Sequence, residues 1–164
     1  MINESSVSGT QDFSVSESDI RINFFNPQRL ISASNSSSGS QSQYYSSDGG
    51  ATWAQTNLPK VHGDAFHSDP TVDWTSDGTA WTTTIGLDSS GSILQLRSYS
   101  SSDGGATWNF DDTLSGNQNN TDKQMMWVDH SPTSPFKDNI YVIWHNSSPV
   151  FVNRRTGPSG SWQT

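Results

Sequence analysis

Ser46-Ser47-Asp48-Gly49-Gly50-Ala51-Thr52-Trp53 recurs without a change as Ser101-Ser102-Asp103-Gly104-Gly105-Ala106-Thr107-Trp108, 55 residues further on. An eight-residue word mixing a carboxylate, two glycines and an indole does not arise twice by chance, and a period of this length marks repeated supersecondary units. Each copy reads as a tight turn between two strands. Ser40–Tyr45 precedes the first and Ile93–Tyr99 the second, both short and loosely alternating. Asp48 and Asp103 are placed to accept hydrogen bonds from amides a few residues on. The glycines supply positive φ. Thr52 and Thr107 restart extended chain, and Trp53 and Trp108 each bring a ring worth ~150–250 Å² of burial. The word builds a corner and performs no chemistry itself.

Working outward, the remainder falls into three units of similar length, 13–60, 61–115 and 116–164. The first holds Asp19–Asn23, Arg29–Ala33, the strand with Tyr44-Tyr45, the octet and Trp53–Thr56. The second runs from Asp69–Trp74 through a Ser76-Asp77-Gly78 turn, Ala80–Ile85 and Ile93–Tyr99 to Trp108–Phe110. The third has Asp122–Val128, Asn139–Trp144, Val150–Arg154 and a decayed copy of the word, Thr156–Trp162, whose tryptophan stands 54 residues after Trp108 although the aspartate is gone. No stretch shows helical periodicity, and Pro, Gly, Ser, Asn and Asp clusters punctuate the chain at strand-and-turn intervals. An all-β fold is expected.

Ser-x-Asp-x-Gly-x-Thr-Trp, matched here at Ser46, Asp48, Gly50, Thr52, Trp53 and at Ser101, Asp103, Gly105, Thr107, Trp108, resembles the Asp-box of BNR repeats in sialidase-like β-propellers. The resemblance implies four-stranded antiparallel blades with the box between the third and fourth strands, on the face opposite the binding site. It also implies six blades in a closed ring, so about three blades make half of one. Repeat units need neighbours to bury their faces. Two outcomes stay open: a longer chain supplies the remaining blades, or two copies associate as a dimer completing six.

Composition narrows the partners. Hydrophobic residues make up only 30%, offset by seven Trp and seven Phe that supply few but large core pieces. A net charge of −8 disfavours nucleic acid and anionic membranes. Absence of Cys excludes a disulfide scaffold. There is no apolar run of bilayer-spanning length and no signal segment, and Met1–Glu4 reads as a mature start. With the resemblance, a secreted bacterial protein that binds an extracellular glycan or other ligand is expected. Asn3, Asn35, Asn119 and Asn146 satisfy the glycosylation pattern, as expected of a chain rich in Ser and Asn.

Candidate site residues follow from the blade register. Ser18-Asp19, Ser68-Asp69 and Thr121-Asp122 open the three inner strands, 50 and 53 residues apart. Equivalent first residues stand around the channel mouth, where Asp19, Asp69 and Asp122 either hold Ca²⁺, which takes roughly 6–8 oxygen ligands, or cap their own strands. No cofactor is otherwise required. The Val61–His67 loop, with His62, Asp64 and His67, is the richest in titratable groups on that face. Asp88 and His145 occupy loops that project the same way, and Phe66 and Trp74 are aromatic candidates for sugar stacking, Trp74 more naturally in the core.

The resemblance implies a sialidase site of three arginines, a tyrosine activated by a glutamate and an aspartate acid/base. Arg21-Ile22-Asn23 matches the early Arg-Ile-Pro only with its proline replaced, and Glu4 and Glu17 are the only glutamates. Asp64, Asp69 and Arg21 are left as catalytic candidates. Ligand binding at the channel face without catalysis by this chain alone is the first expectation. A glycoside hydrolase of sialidase type completed by further blades, and a purely structural propeller segment that self-assembles, are the alternatives.

Overall fold

In the computed structural model, residues 16–36 and 39–163 are described; the start of the first unit at 13 and the Asn3 sequon lie outside them. The hairpin turns of the sequence space eleven strands and no helix among these residues. Strands β1 (Asp19–Ile22), β2 (Leu30–Ser34), β3 (Ser42–Ser46) and β4 (Ala54–Asn57) form one antiparallel sheet in chain order. β5 (Phe66–Trp74), β6 (Ala80–Leu87), β7 (Leu94–Ser101) and β8 (Asn109–Thr113) form the second. β9 (Asp122–Val128), β10 (Ile140–His145) and β11 (Val150–Arg155) form the third, again antiparallel. This last sheet has three strands where four were expected. Where the fourth would start, Trp162 makes an isolated bridge to Arg155.

Both octets join the third and fourth strands of their sheets, and the hydrogen bonds around their aspartates match atom for atom. The Ser46 hydroxyl donates to Asp48 Oδ1 at 2.8 Å, and Asp48 accepts from the Thr52 amide and hydroxyl at 2.9 and 2.6 Å. Ser101, Asp103 and Thr107 repeat this at 2.7, 2.9 and 2.6 Å. The hydrogen bonds from Thr52 hold the Asp48 carboxyl at about 2, against the ordinary 3.8. For Asp103, burial works the other way but is outweighed by Thr107 and Ser101, and the value is again about 2.

The sheets stack as blades because alternation gives each an apolar face on both sides of the middle sheet. Between the first and second lie Ile31, Ala33, Val72, Trp74, Ala80, Tyr99 and Trp108; between the second and third lie Trp81, Leu96, Met126, Val128, Ile140, Val142, Trp144 and Trp162. Adjacent Ala80 and Trp81 thus serve opposite seams. The octet tryptophan fills the seam with the preceding blade: Trp108 reaches the first sheet and Trp162 the second.

β1, β5 and β9, the first strand of each sheet, run side by side at the hub. Carboxylates stitch them together. Asp19 Oδ2 accepts from the Thr71 hydroxyl and Val72 amide of β5 at 3.1 and 3.0 Å, and Asp73 Oδ2 accepts from the Val128 amide of β9 at 2.9 Å. Trp74 Nε1 donates to the Arg21 carbonyl at 3.3 Å, which places that indole wholly in the core.

Candidate functional site

Strand directions decide which loops share a face. β1, β5 and β9 all start at one end of the blades; the β6–β7 and β10–β11 loops return to that end, and both octets lie at the other. Asp19, Asp69, Asp122, the 61–67 loop, Asp88 and His145 are therefore all at one end. What they do there is not uniform.

At the hub, a cavity of about 210 Å³ opens where the inner strands begin, lined among others by Glu17, Asp19, Asp69, Thr71, Lys123 and Met125. Asp69 sits at a register shift in β5 with φ +54°, a left-handed conformation that turns its side chain out of the ladder. Its Oδ1 accepts from the Ser68 hydroxyl at 2.5 Å, and its Oδ2 lies 3.5 Å from Lys123 Nζ. Lys123 Nζ also reaches Glu17 at 2.8 Å. Burial disfavours the charged form of Asp69, but hydrogen bonds with Glu17 and Ser68 and the charge of Lys123 outweigh it and lower its pKa. Asp19 has both oxygens engaged, Oδ1 by Arg21 at 2.7 Å and the Ile20 amide at 2.8 Å. It braces the hub and holds Arg21 away from any carboxylate clamp.

The three inner-strand aspartates do not converge as a ring. Asp122 accepts from the Lys123 amide and faces His145 at 4.0 Å, apart from the cavity that Asp19 and Asp69 line. The positive charge between the carboxylates is an ammonium, that of Lys123, the neighbour of the expected ligand. No three His, Asp or Glu side chains are gathered to hold an ion among the described residues. Expecting Ca²⁺ from Asp19, Asp69 and Asp122 is thus corrected by the position of Lys123.

The 61–67 loop is corrected too. Asp64 and His67 are buried, not presented to a ligand. Asp64 receives a two-pronged ion pair from Arg97, Nε and Nη2 at 2.9 and 2.8 Å, while His67 stands 3.7 Å from the same carboxylate. Burial raises the Asp64 pKa, but the hydrogen bonds from Arg97 and His67 prevail and lower it. Arg97 is itself only 2% exposed and ties Thr113 at 2.7 Å, so the cluster locks the loop onto the second blade. Asp64, one of the catalytic candidates, is thus held in a buried ion pair. His62 is exposed, its ring edge-on to Phe110 at 5.0 Å. Asp88 spends its oxygens on the Ser90 hydroxyl and the Ser92 and Ile93 amides, an internal turn. Phe66 remains half-exposed at the start of β5.

Four contributors escaped the sequence reading. Glu17 and Lys123 complete the cavity and pair across 106 residues. Arg97 holds Asp64 from a strand 33 residues further along the chain. Asp73, whose Oδ1 lies 2.9 Å from His130 Nε2, is pushed up by burial against the pull of His130. Only Asp73 left a trace, an aspartate one residue before a tryptophan in an otherwise buried strand.

No protein-family model matches the chain, and no curated protein matches it. Solved structures do. An α-L-arabinofuranosidase, Arb93A, from Fusarium graminearum aligns with TM-score 0.66 and 15% identity over 92% of this chain and 47% of its own. An α-L-arabinanase from Penicillium chrysogenum complexed with arabinobiose gives 0.66 and 15%, covering 92% and 48%. A glycosyl hydrolase from Bacteroides ovatus gives 0.55 and 12%, covering 84% and 47%. The chain spans about half the length of these structures. At such identities the likeness carries the fold: this chain is a partial β-propeller of the kind on which those glycosidases are built.

Proposed function

We propose that this chain is the sugar-directed half of a glycosidase-type propeller, with BNR-like blades, and that it holds the end of a neutral glycan in the hub cavity. One observation carries the reading: three carboxylates (Glu17, Asp19, Asp69) and one ammonium (Lys123) converge on a 210 Å³ space where three inner strands begin. Sugar hydroxyls donate and accept at once, so a mixed set of acceptors and one strong donor suits them. The volume is below the roughly 300–1,000 Å³ of sites for drug-sized ligands, which suits a single terminal sugar. The excess of carboxylates speaks against sialic acid, whose own carboxylate they would repel. Arg21, the one residue left of the sialidase clamp, is already bound to Asp19.

Hydrolysis is the second reading, carried by Asp69 with Glu17. The two carboxyl groups share one ammonium, Lys123 Nζ lying 2.8 Å from Glu17 Oε1 and 3.5 Å from Asp69 Oδ2. A substrate oxygen has to part them before acid and base roles separate, so binding stands first.

Titration calorimetry with arabinobiose and with sialyllactose, beside turnover of 4-nitrophenyl α-L-arabinofuranoside, distinguishes these. The expected result is binding of the neutral disaccharide, weakened at least tenfold in Lys123→Ala and Asp69→Asn, with no release of nitrophenol. Turnover abolished by Asp69→Asn moves the assignment to hydrolysis. Preference for the sialoside, or no binding of either sugar, overturns the reading.

A further inference from the structure

The hub cavity is lined by three triplets, 17–19, 69–71 and 123–125, one from each blade. At the start of all three inner strands the pairing register shifts by one residue. In β5, residues 69 and 70 stand opposite Thr84 alone, between the Ser68–Ile85 and Thr71–Thr83 pairs. In β9, residues 123 and 124 stand opposite Trp144, between the Asp122–His145 and Met125–Ile143 pairs. Ahead of β1, residues 17 and 18 stand opposite Ser34, between the Asp19–Ala33 pair and the Ser16 carbonyl, which accepts from the Asn35 amide at 2.9 Å. Each is a bulge, and the first residue of each is left-handed: φ is +52° at Glu17, +54° at Asp69 and +50° at Lys123. Glycine is the ordinary occupant of such a bulge position, because a Cβ is strained there. Three charged side chains occupy it instead, and all three line one cavity.

We propose that the three bulges are one repeated device for presenting charge to the hub, and that Asn35 and Gln124 are its positioning residues. Left-handed backbone at a side-chain-bearing residue persists only where the surroundings over-determine it, and the middle bulge shows how. The Asp69 amide donates to Asn35 Oδ1 of the first blade at 2.8 Å, and the Asp69 carbonyl accepts from Gln124 Nε2 of the third. Both peptide groups that meet at Asp69 are thus pinned, each from a different neighbouring blade, and the direction of the carboxylate is pinned with them. Asn35 Nδ2 also donates to Glu17 Oε2 at 3.4 Å, which ties the first bulge to the second. Gln124, only 5% exposed, follows Lys123 in the third bulge, so the side chain that aims Asp69 is the neighbour of the ammonium that Asp69 meets. The bulge fixes where a side chain points; the residue placed on it fixes whether the cavity is offered an acceptor or a donor. The device rests on the hub reading only for its ligand, since the bulges and their clamps stand without one.

Glycine and alanine at one position both lack the charged group, so their difference reads the backbone alone. At Glu17, Asp69 and Lys123 in turn, the Gly variant is expected to unfold at a higher urea concentration than the Ala variant. Alanine as stable as glycine at any of the three overturns the device. Asn35→Leu and Gln124→Leu remove the clamps at nearly constant size, and an Ala variant replaces either one that does not fold. In each, the carboxyl ¹³C titration of Asp69 should move up by about half a unit as the carboxylate drifts from Lys123, while Asp48 and Asp103 at the far end of the blades titrate as before. An unmoved Asp69 removes the positioning role. Calorimetry with arabinobiose should show affinity lowered by about tenfold in Gln124→Leu; unchanged affinity in both Leu variants also overturns that role. A native chain that binds no arabinobiose sinks the hub reading instead, and leaves the bulges to be judged by the urea and titration measurements, which need no ligand.

Discussion

The two copies of the octet are one word in two settings. Their hydrogen bonds agree within about 0.1 Å, since every donor and acceptor lies within four residues of the aspartate. Their surroundings differ. The second copy is pressed against the first blade: a Cβ on Gly105 would stand 3.0 Å from Ile31 Cγ2 and Tyr45 Cβ, and Trp108 is 6% exposed. Among the described residues no blade packs against the first copy in that way, and the atoms nearest to a Cβ on Gly50 belong to Leu30 and Trp53, at 3.7 Å or more. Local chemistry makes the corner; a neighbour decides what the corner is worth.

The largest effect expected from this contrast is at the tryptophans. Trp108→Ala empties a core seam and should cost about 3–5 kcal/mol, read as a shift of the urea midpoint. Trp53→Ala, at a ring that is only partly buried, should cost less than half of that. Equal costs there would mean that both rings are packed alike and would sink the contrast.

The glycines come next. Gly105→Ala meets both a φ of +100° and the side chains of Ile31 and Tyr45 on the first blade, whereas Gly50→Ala meets φ +89° with room for the methyl. The strained conformation alone costs of order 1–3 kcal/mol, so both variants should be destabilised, Gly105→Ala the more by denaturant unfolding.

The smallest effect is common to both copies. Asp48 and Asp103 have folded pKa values of about 2 against 3.8 unfolded. A depressed carboxylate contributes stability that is present above the unfolded value and lost as pH falls through the folded one. The melting temperature should therefore fall between about pH 4 and pH 2 more steeply for the native chain than for the double variant Asp48→Asn with Asp103→Asn. Parallel slopes would mean that the octet hydrogen bonds add nothing specific to the charged form.

The site was less legible than the corners. Placement of Asp19, Asp69, Asp88 and His145 at one end of the blades followed from counting strands, because antiparallel order alternates ends. Their roles did not follow. Asp64 and His67 looked like an exposed titratable loop, and the residue that buries them, Arg97, is 33 positions from Asp64 on another strand. Asp122 occupies the expected register, yet it is the adjacent Lys123, at a left-handed φ of +50°, that lines the cavity with Gln124 and Met125.

The amino-acid order alone determined the turns, the four strands of the first two repeats and the radial plan, since those depend on φ preferences, hydrogen bonds within four residues and alternation along single strands. Tertiary structure alone decided which carboxylates are braced, which are buried and which meet an ammonium at the hub. Those outcomes are set by partners 33 to 106 residues away and by whether a blade has a neighbour, quantities that no local pattern encodes.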